Sequence, residues 1–237
     1  MRKVVLNLLI ALPWIAGNLT PLFFLWLIWP RLGSITPFCK LHLNPTSTDL
    51  LVAIIFPLQH SVWTQPRVKD ALKAWLGELL ERPGYVLTSG LALAATAILW
   101  QPSESLIWRL PAAALWPMRI LFLASIGVQT YCATLLGAKS LIGVAHVKAM
   151  KLGRPLNPPQ FKEAGPYRFI RHPIAATQII QLWLTPSMYA DRFLLAALWT
   201  FWIAFVTLLE DRRLAIQFGD VYLAYRKRTG FLWPRIS

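Results

Sequence analysis

Apolar residues run through this chain in long blocks, broken by short polar stretches rich in proline and basic side chains. A bilayer span needs roughly 20 mainly apolar residues, with a range of about 17 to 25. Six segments meet or approach that length: 4–29, 50–66, 84–100, 116–136, 173–189 and 193–209. The first carries Pro13 and Pro21, which membrane helices tolerate when neighbouring groups satisfy the freed backbone. It starts with Arg2-Lys3 like a signal peptide, but its apolar run is too long and no clean small-x-small site follows, so a retained span is expected. The second is the weakest, because Gln59, His60 and Ser61 interrupt it.

The polar stretches have patterns of their own. In 67–83, Val68, Leu72, Trp75, Leu76, Leu79 and Leu80 recur at helical spacing, flanked by Lys69, Lys73 and Arg82. That predicts a short amphipathic helix lying at a membrane surface or docked on the bundle. Segment 138–171 is long for a loop. Its start, "SLIGVAHVKAM", can continue the fourth helix, whereas "GRPLNPPQF" cannot be regular helix, because its prolines remove donors and restrict their neighbours. Beyond the sixth span, Leu214, Phe218, Val221, Tyr222 and Tyr225 fall on one predicted helical face that Glu210 extends toward the membrane. A carboxylate there is expensive unless paired, and Arg171 and His172 are the expected partners. Arg168 and Arg171, three apart, are expected to share a face.

Composition moves the chain out of the soluble class. Of its 237 residues 56% are hydrophobic and only 14% charged, and 12 are Trp. The fold class is therefore an all-α integral membrane protein of about six helices, forming one membrane domain over 1–237 with a tail at 210–237. A net charge of +14 invites a nucleic-acid reading, but the distribution opposes it. With the N-terminus inside, all but five of the 24 Lys and Arg (Arg31, Lys40, Arg109, Arg119 and Arg192) fall on the cytoplasmic side. That asymmetry follows the positive-inside rule and places both termini in the cytoplasm. Anionic membrane lipids account for the charge, and no nucleic-acid partner is expected. Cys39 and Cys132 are expected as free thiols, and no metal-ligand spacing is present.

The densest polar cluster lies in "EAGPYRFIRHPIAATQII", residues 163–180, at the mouth of the fifth span. "GPYRFIRHP", followed by a pair of spans and "EDRRLAIQFGDVYLAYRKRTGFLWP", resembles the C-terminal signature of the isoprenylcysteine carboxyl methyltransferase superfamily. "LQHSVW", "ERPGYVLTSGLALA", "GVQT", "GRPLNPPQFKEAGPYRFIRHP" and "LWLTPSM" resemble the bacterial methanethiol S-methyltransferase branch, which is related to the NnrU proteins. The likeness runs from about residue 50 to the end. It implies a bacterial inner-membrane enzyme that uses S-adenosyl-L-methionine, with a cytoplasmic cofactor site built from the last loop and the C-terminal helix. One departure is clear: where the family has Tyr and Gly after the RHP element, this chain has Ala175 and Thr177.

The resemblance implies that residues matching the RHP, Glu and Tyr-x-x-Tyr elements line the cofactor. The side-chain chemistry agrees. Arg168 or Arg171 suits a forked contact to the donor's carboxylate. Glu210 can accept from the ribose hydroxyls or the ammonium. Tyr167, Phe218, Tyr222 and Tyr225 offer faces to the adenine or the sulfonium. His172, before Pro173, is biased away from helix and can turn its ring toward the pocket. A thiol acceptor reacts as its thiolate, so a base or a cation is required, and His60 is the candidate base beside Arg171 and His172. A small thiol is the expected acceptor. A lipid or prenylated acceptor, or a non-catalytic NnrU-like protein, is the alternative. Sterol-type reductases share part of the signature but have more spans.

Overall fold

A computed structural model of the chain describes residues 24–155 and 160–235, together with residues 11, 12, 15, 21 and 22. The described residues are mostly helical and fall into two compact units. One holds Met1–Ile28, Ile35–Ser103 and Gly137–Pro158; the other holds Trp29–Ser34, Glu104–Leu136 and Pro159–Ser237.

In the first unit, helix α1 (Pro45–Trp63) opens on Asn44, whose side chain accepts from the Ser47 amide, with Pro45 at the first helical position. It packs on α3 (Glu78–Leu99). The polar interruption that weakens the second span is satisfied here: Gln59 donates to Thr88 at 2.9 Å and accepts from Ser89 at 3.0 Å. Polar side chains in a bundle commonly pair this way. The predicted helix over 67–83 is divided. Helix α2 (Pro66–Leu76) stops at Gly77, whose φ of +87° disfavours any L side chain, and Leu79 and Leu80 belong to α3. Helix α2 buries no residue, and Trp75 is 80% exposed. The first predicted span, 4–29, lies mostly outside the described residues; 24–28 are helical.

In the second unit, α4 (Leu115–Leu136) ends at Gly137, with φ +91°. The fourth helix therefore does not continue into "SLIGVAHVKAM". That stretch forms one turn over Ala138–Leu141 and then α5 (Val144–Leu152), both in the first unit, where α5 packs on α3. Helix α6 (Pro173–Trp183) is shorter than the predicted fifth span. Pro186 disfavours helix at the residue before it, and Ser187–Tyr189 instead forms strand β2, antiparallel to β1 (Leu106–Arg109), with Arg109 opposite Ser187. Helix α7 (Ala190–Phe218) follows, tied to α6 by Trp183 donating to Thr200 at 2.9 Å. Gly219, at φ +56°, separates it from α8 (Asp220–Arg228), so the tail is two helices and not one continuous face. Val221 is accordingly exposed while Tyr222 and Tyr225 are buried.

Among the described residues, two helices are long and apolar enough to cross a bilayer, Ala112–Leu136 and Ala190–Phe218. Only 17% and 28% of their most apolar windows are buried within the protein. Phe201, Phe205, Leu121 and Leu123 face outward. Exposed apolar faces on helices of this length are consistent with a membrane protein.

Candidate functional site

The cluster at 165–172 is set by backbone before any side chain acts. Gly165 opens a short turn through Arg168 with φ +57°. A Cβ there would stand 2.8 Å from Tyr131 Cε1 and 3.0 Å from Leu135 Cδ1, so only glycine fits. The chain then zips to the tail. Gly230 donates to the Phe169 carbonyl at 3.0 Å, Arg171 donates to the Gly230 carbonyl at 2.9 Å, and His172 donates to the Phe231 carbonyl at 3.2 Å. His172 caps α6 with φ −126° and ψ 62°, outside the helical region as its position before proline dictates.

The side chains converge on Asp211, which is 1% exposed. Its Oδ1 accepts from Arg171 Nε at 2.8 Å and from the Tyr222 hydroxyl at 2.7 Å, and lies 3.1 Å from His172 Nε2. Arg226 Nε lies 3.5 Å from Oδ2. Arg171 also donates through Nη1 to the carbonyls of Thr229, at 2.6 Å, and Arg226, at 3.2 Å. The expected convergence of the RHP segment with the end of the sixth span is present, but the carboxylate at its centre is the neighbour of the expected one. Glu210 sits at the edge, its side chain 64% exposed and its Oε2 3.8 Å from His172 Nδ1. Sequence reasoning missed Asp211 because helical phase decides which of two adjacent acids turns inward. Arg168 and Arg171 do not share a face: the chain leaves the turn between them, so Arg168 is exposed while the Arg171 side chain is 9% exposed.

Aromatic groups complete the arrangement. Phe161 lies against Phe218, Tyr222 and Tyr225 at centroid distances of 5.5, 5.9 and 5.1 Å. Its strand of chain is held by Lys162 donating to the Leu135 carbonyl and by a two-bond ion pair between Glu163 and Arg228. Tyr225 donates to the Tyr167 carbonyl at 2.6 Å. Burial, then the nearby Glu163, pushes the Tyr225 phenol up to about 12. Burial and the bond to Asp211 raise Tyr222, and burial raises Tyr167. All three phenols are thus neutral donors at physiological pH. Thr177, at the departing position in α6, is buried and turns its hydroxyl onto the Ile174 carbonyl at 2.8 Å. Ala175 is half-buried.

His60 belongs to the other unit. Its Nδ1 is 2.6 Å from the Tyr85 hydroxyl, and the Arg82 guanidinium lies over the Tyr85 ring at 4.9 Å. Next to this pair, Trp63 donates to the buried Glu81 at 2.9 Å and Arg82 donates to the Leu141 carbonyl. Gly143, at φ +78°, stands so close to Pro83 that a Cβ would lie 3.0 Å from its backbone. The helix that it starts carries His146, whose buried Nδ1 has no hydrogen-bond partner among the described residues. Burial and Arg82 hold the His146 pKa below its ordinary value, with Glu81 opposing. His146 carries no sequence signal beyond its residue type. Among the described residues no group of His, Cys, Asp and Glu has metal-site geometry.

No protein-family model and no solved structure matches the chain. Curated relatives do. Methanethiol S-methyltransferase 1 of Bradyrhizobium diazoefficiens is 32% identical over 188 residues, 78% of this chain and 66% of that protein's length. Methanethiol S-methyltransferase of Mycobacterium tuberculosis is 30% identical over 190 residues, 78% of this chain and 77% of the relative. Nurim of Danio rerio is 29% identical over 175 residues, 70% of this chain and 63% of the relative. The exposed apolar helices and these likenesses agree, and the chain belongs to the methanethiol S-methyltransferase family of membrane methyltransferases.

Proposed function

We propose that this chain S-methylates a small thiol, methanethiol or a close analogue, to the thioether, with S-adenosyl-L-methionine as donor. The observation that carries the site assignment is the Asp211 hub, which holds Arg171, His172 and Tyr222 in place beside an exposed Glu210 and the Phe161–Phe218 pair. The donor set fits the cofactor's chemistry: a cation, a carboxylate and aromatic faces suit a ligand with a carboxylate, an ammonium, a ribose diol and an adenine.

When bound, S-adenosyl-L-methionine supplies a methyl group already activated on a sulfonium. The protein's task is then alignment and exclusion of water, which contributes several kcal/mol by the effective-molarity argument. Glu210 accepts from the ammonium or the ribose. Arg168, exposed beside the turn, offers its guanidinium to the donor's carboxylate. Arg171 holds the hub and presents what remains of its fork. Phe218, Tyr222, Tyr225 and Tyr167 form the aromatic wall. For the thiol proton the reading keeps His60, whose Nδ1 lies 2.6 Å from the Tyr85 hydroxyl, as the candidate base. The reading also takes six spans in a bacterial inner membrane, both termini cytoplasmic, and one membrane domain.

Titration calorimetry of the detergent-purified protein with S-adenosyl-L-methionine, followed by incubation with methyl-labelled donor and a panel of thiols and lipids, tests it. Binding heat and a labelled thioether are expected. A labelled lipid moves the reaction to a lipid or prenylated acceptor. A silent titration overturns the donor assignment and favours a non-catalytic NnrU-like role.

A further inference from the structure

The aromatic wall that the proposed function gives to the donor is covered from within the chain. The Phe161 ring lies tilted against Phe218 and edge-on to Tyr222 and Tyr225, at centroid distances of 5.5, 5.9 and 5.1 Å. Tyr222 and Tyr225 are each 2% exposed. Rings in contact stand about 4.5–7 Å apart, so Phe161 fills the space that an adenine would need on this wall. The wall itself is fixed. The Tyr222 hydroxyl donates to the buried Asp211 at 2.7 Å, and the Tyr225 hydroxyl donates to the Tyr167 carbonyl at 2.6 Å. For a donor to reach these faces, Phe161 has to move.

The segment that carries Phe161 is fastened lightly enough to do so. Residues 160–164 have no regular secondary structure, and among the described residues no backbone group of 160–163 bonds to another backbone group. Apart from the ring contacts, it is held by side chains. Lys162 Nζ donates to the Leu135 carbonyl at 2.7 Å in an exposed position. Arg228 donates to Glu163 through Nε, at 3.0 Å, and through Nη2, with the two side chains 57% and 28% exposed. Surface ion pairs are weak, and a segment held by a few exposed bonds opens at low cost. Its downstream end is anchored by the Gly165 turn, packed against Tyr131 and Leu135. Arg228 also stands 6.0 Å from the centroid of the Tyr225 ring, so the ion pair sits on the wall that the segment covers. Resting on the donor assignment above, we propose that residues 160–164 gate the donor site. Phe161 holds the adenine's place on the Phe218, Tyr222 and Tyr225 wall, and the Glu163–Arg228 pair latches it there. S-adenosyl-L-methionine binds when the strap lifts, so its apparent affinity is the intrinsic one reduced by the open fraction.

Association of S-adenosyl-L-methionine with the full chain in detergent is followed by stopped-flow tryptophan fluorescence, with calorimetry for the equilibrium. Phe161→Ala and Glu163→Gln are each expected to associate at least threefold faster than the wild type. The donor carries a net positive charge, so loss of a carboxylate by itself would slow its approach; acceleration in Glu163→Gln reports the latch. Circular dichroism checks folding, and should Phe161→Ala not fold, Glu163→Gln, at a surface ion pair, decides. Wild-type rates in the folded variants overturn the gate. Slower association in Phe161→Ala also overturns it and makes the ring a fixed stacking partner of the donor. A wild-type chain that binds no donor overturns the donor assignment and the gate with it, whereas donor binding with unchanged variant rates overturns the gate alone.

Discussion

Glu210 and Asp211 are adjacent acids with opposite environments, and substitution separates their roles. Asp211 is buried and accepts from Arg171, Tyr222 and His172. Removing its charge leaves the Arg171 guanidinium buried without a counter-ion, a loss of about 3–5 kcal/mol for a buried pair. Asp211→Asn is therefore expected to lower the thermal unfolding midpoint sharply, followed by tryptophan fluorescence in detergent. Glu210→Gln, at an exposed side chain, is expected to unfold like the wild type and yet to lose S-adenosyl-L-methionine binding by calorimetry; unchanged affinity removes Glu210 from the site. His146 supplies a pH dependence. Its folded pKa is below the unfolded value of about 6.5, so its contribution is fully present above that pH and is lost as pH falls through the folded value. Unfolding curves from pH 8 to pH 5 are expected to show a decline below about pH 6.5 that His146→Gln removes; an identical decline in the variant assigns it to other groups.

At the scale of elements, glycines decide where helices stop and what they meet. Gly77, Gly137 and Gly219 end α2, α4 and α7 in backbone conformations that L residues seldom adopt. Gly165 has a second constraint, the ring of Tyr131 and the side chain of Leu135. Gly165→Ala is expected to cost about 1–2 kcal/mol from the left-handed backbone alone, with the clash added. Because 169–172 are zipped to 229–231 downstream of that turn, the variant is expected to lose donor affinity together with stability. Calorimetry and thermal unfolding on one preparation check the pairing of the two effects. Full donor affinity would show that the turn does not position the site.

For the whole molecule the testable quantity is topology. The proposed arrangement, read from the positive-inside rule, has six spans with both termini in the cytoplasm. Reporter fusions at Ser237 and near Ser103 are expected to read cytoplasmic and periplasmic respectively. A periplasmic signal from the Ser237 fusion rejects the arrangement.

By itself the sequence determined the solvent and the chemistry class. Long apolar blocks and few charges point to lipid as the medium, because apolar surface is stable there. The RHP segment and the Glu/Tyr-rich tail pointed to methyl transfer through family resemblance. The tertiary structure decided what depends on phase and on distant neighbours. Periodicity could not choose between Glu210 and Asp211, since a rotation of about 100° per residue separates them and packing selects the inward one. It gave Arg168 and Arg171 one face, because nothing local shows that residues 169–172 leave the turn to pair with 229–231. The polar interruption at Gln59 and His60 weakened a span on paper, yet Thr88, Ser89 and Tyr85 on another helix satisfy it. The meeting of Arg31, Arg119 and Arg192 on the Trp29 and Pro30 carbonyls was invisible for the same reason: their spacing of 88 and 73 positions has no periodicity, and only the folded chain brings them together.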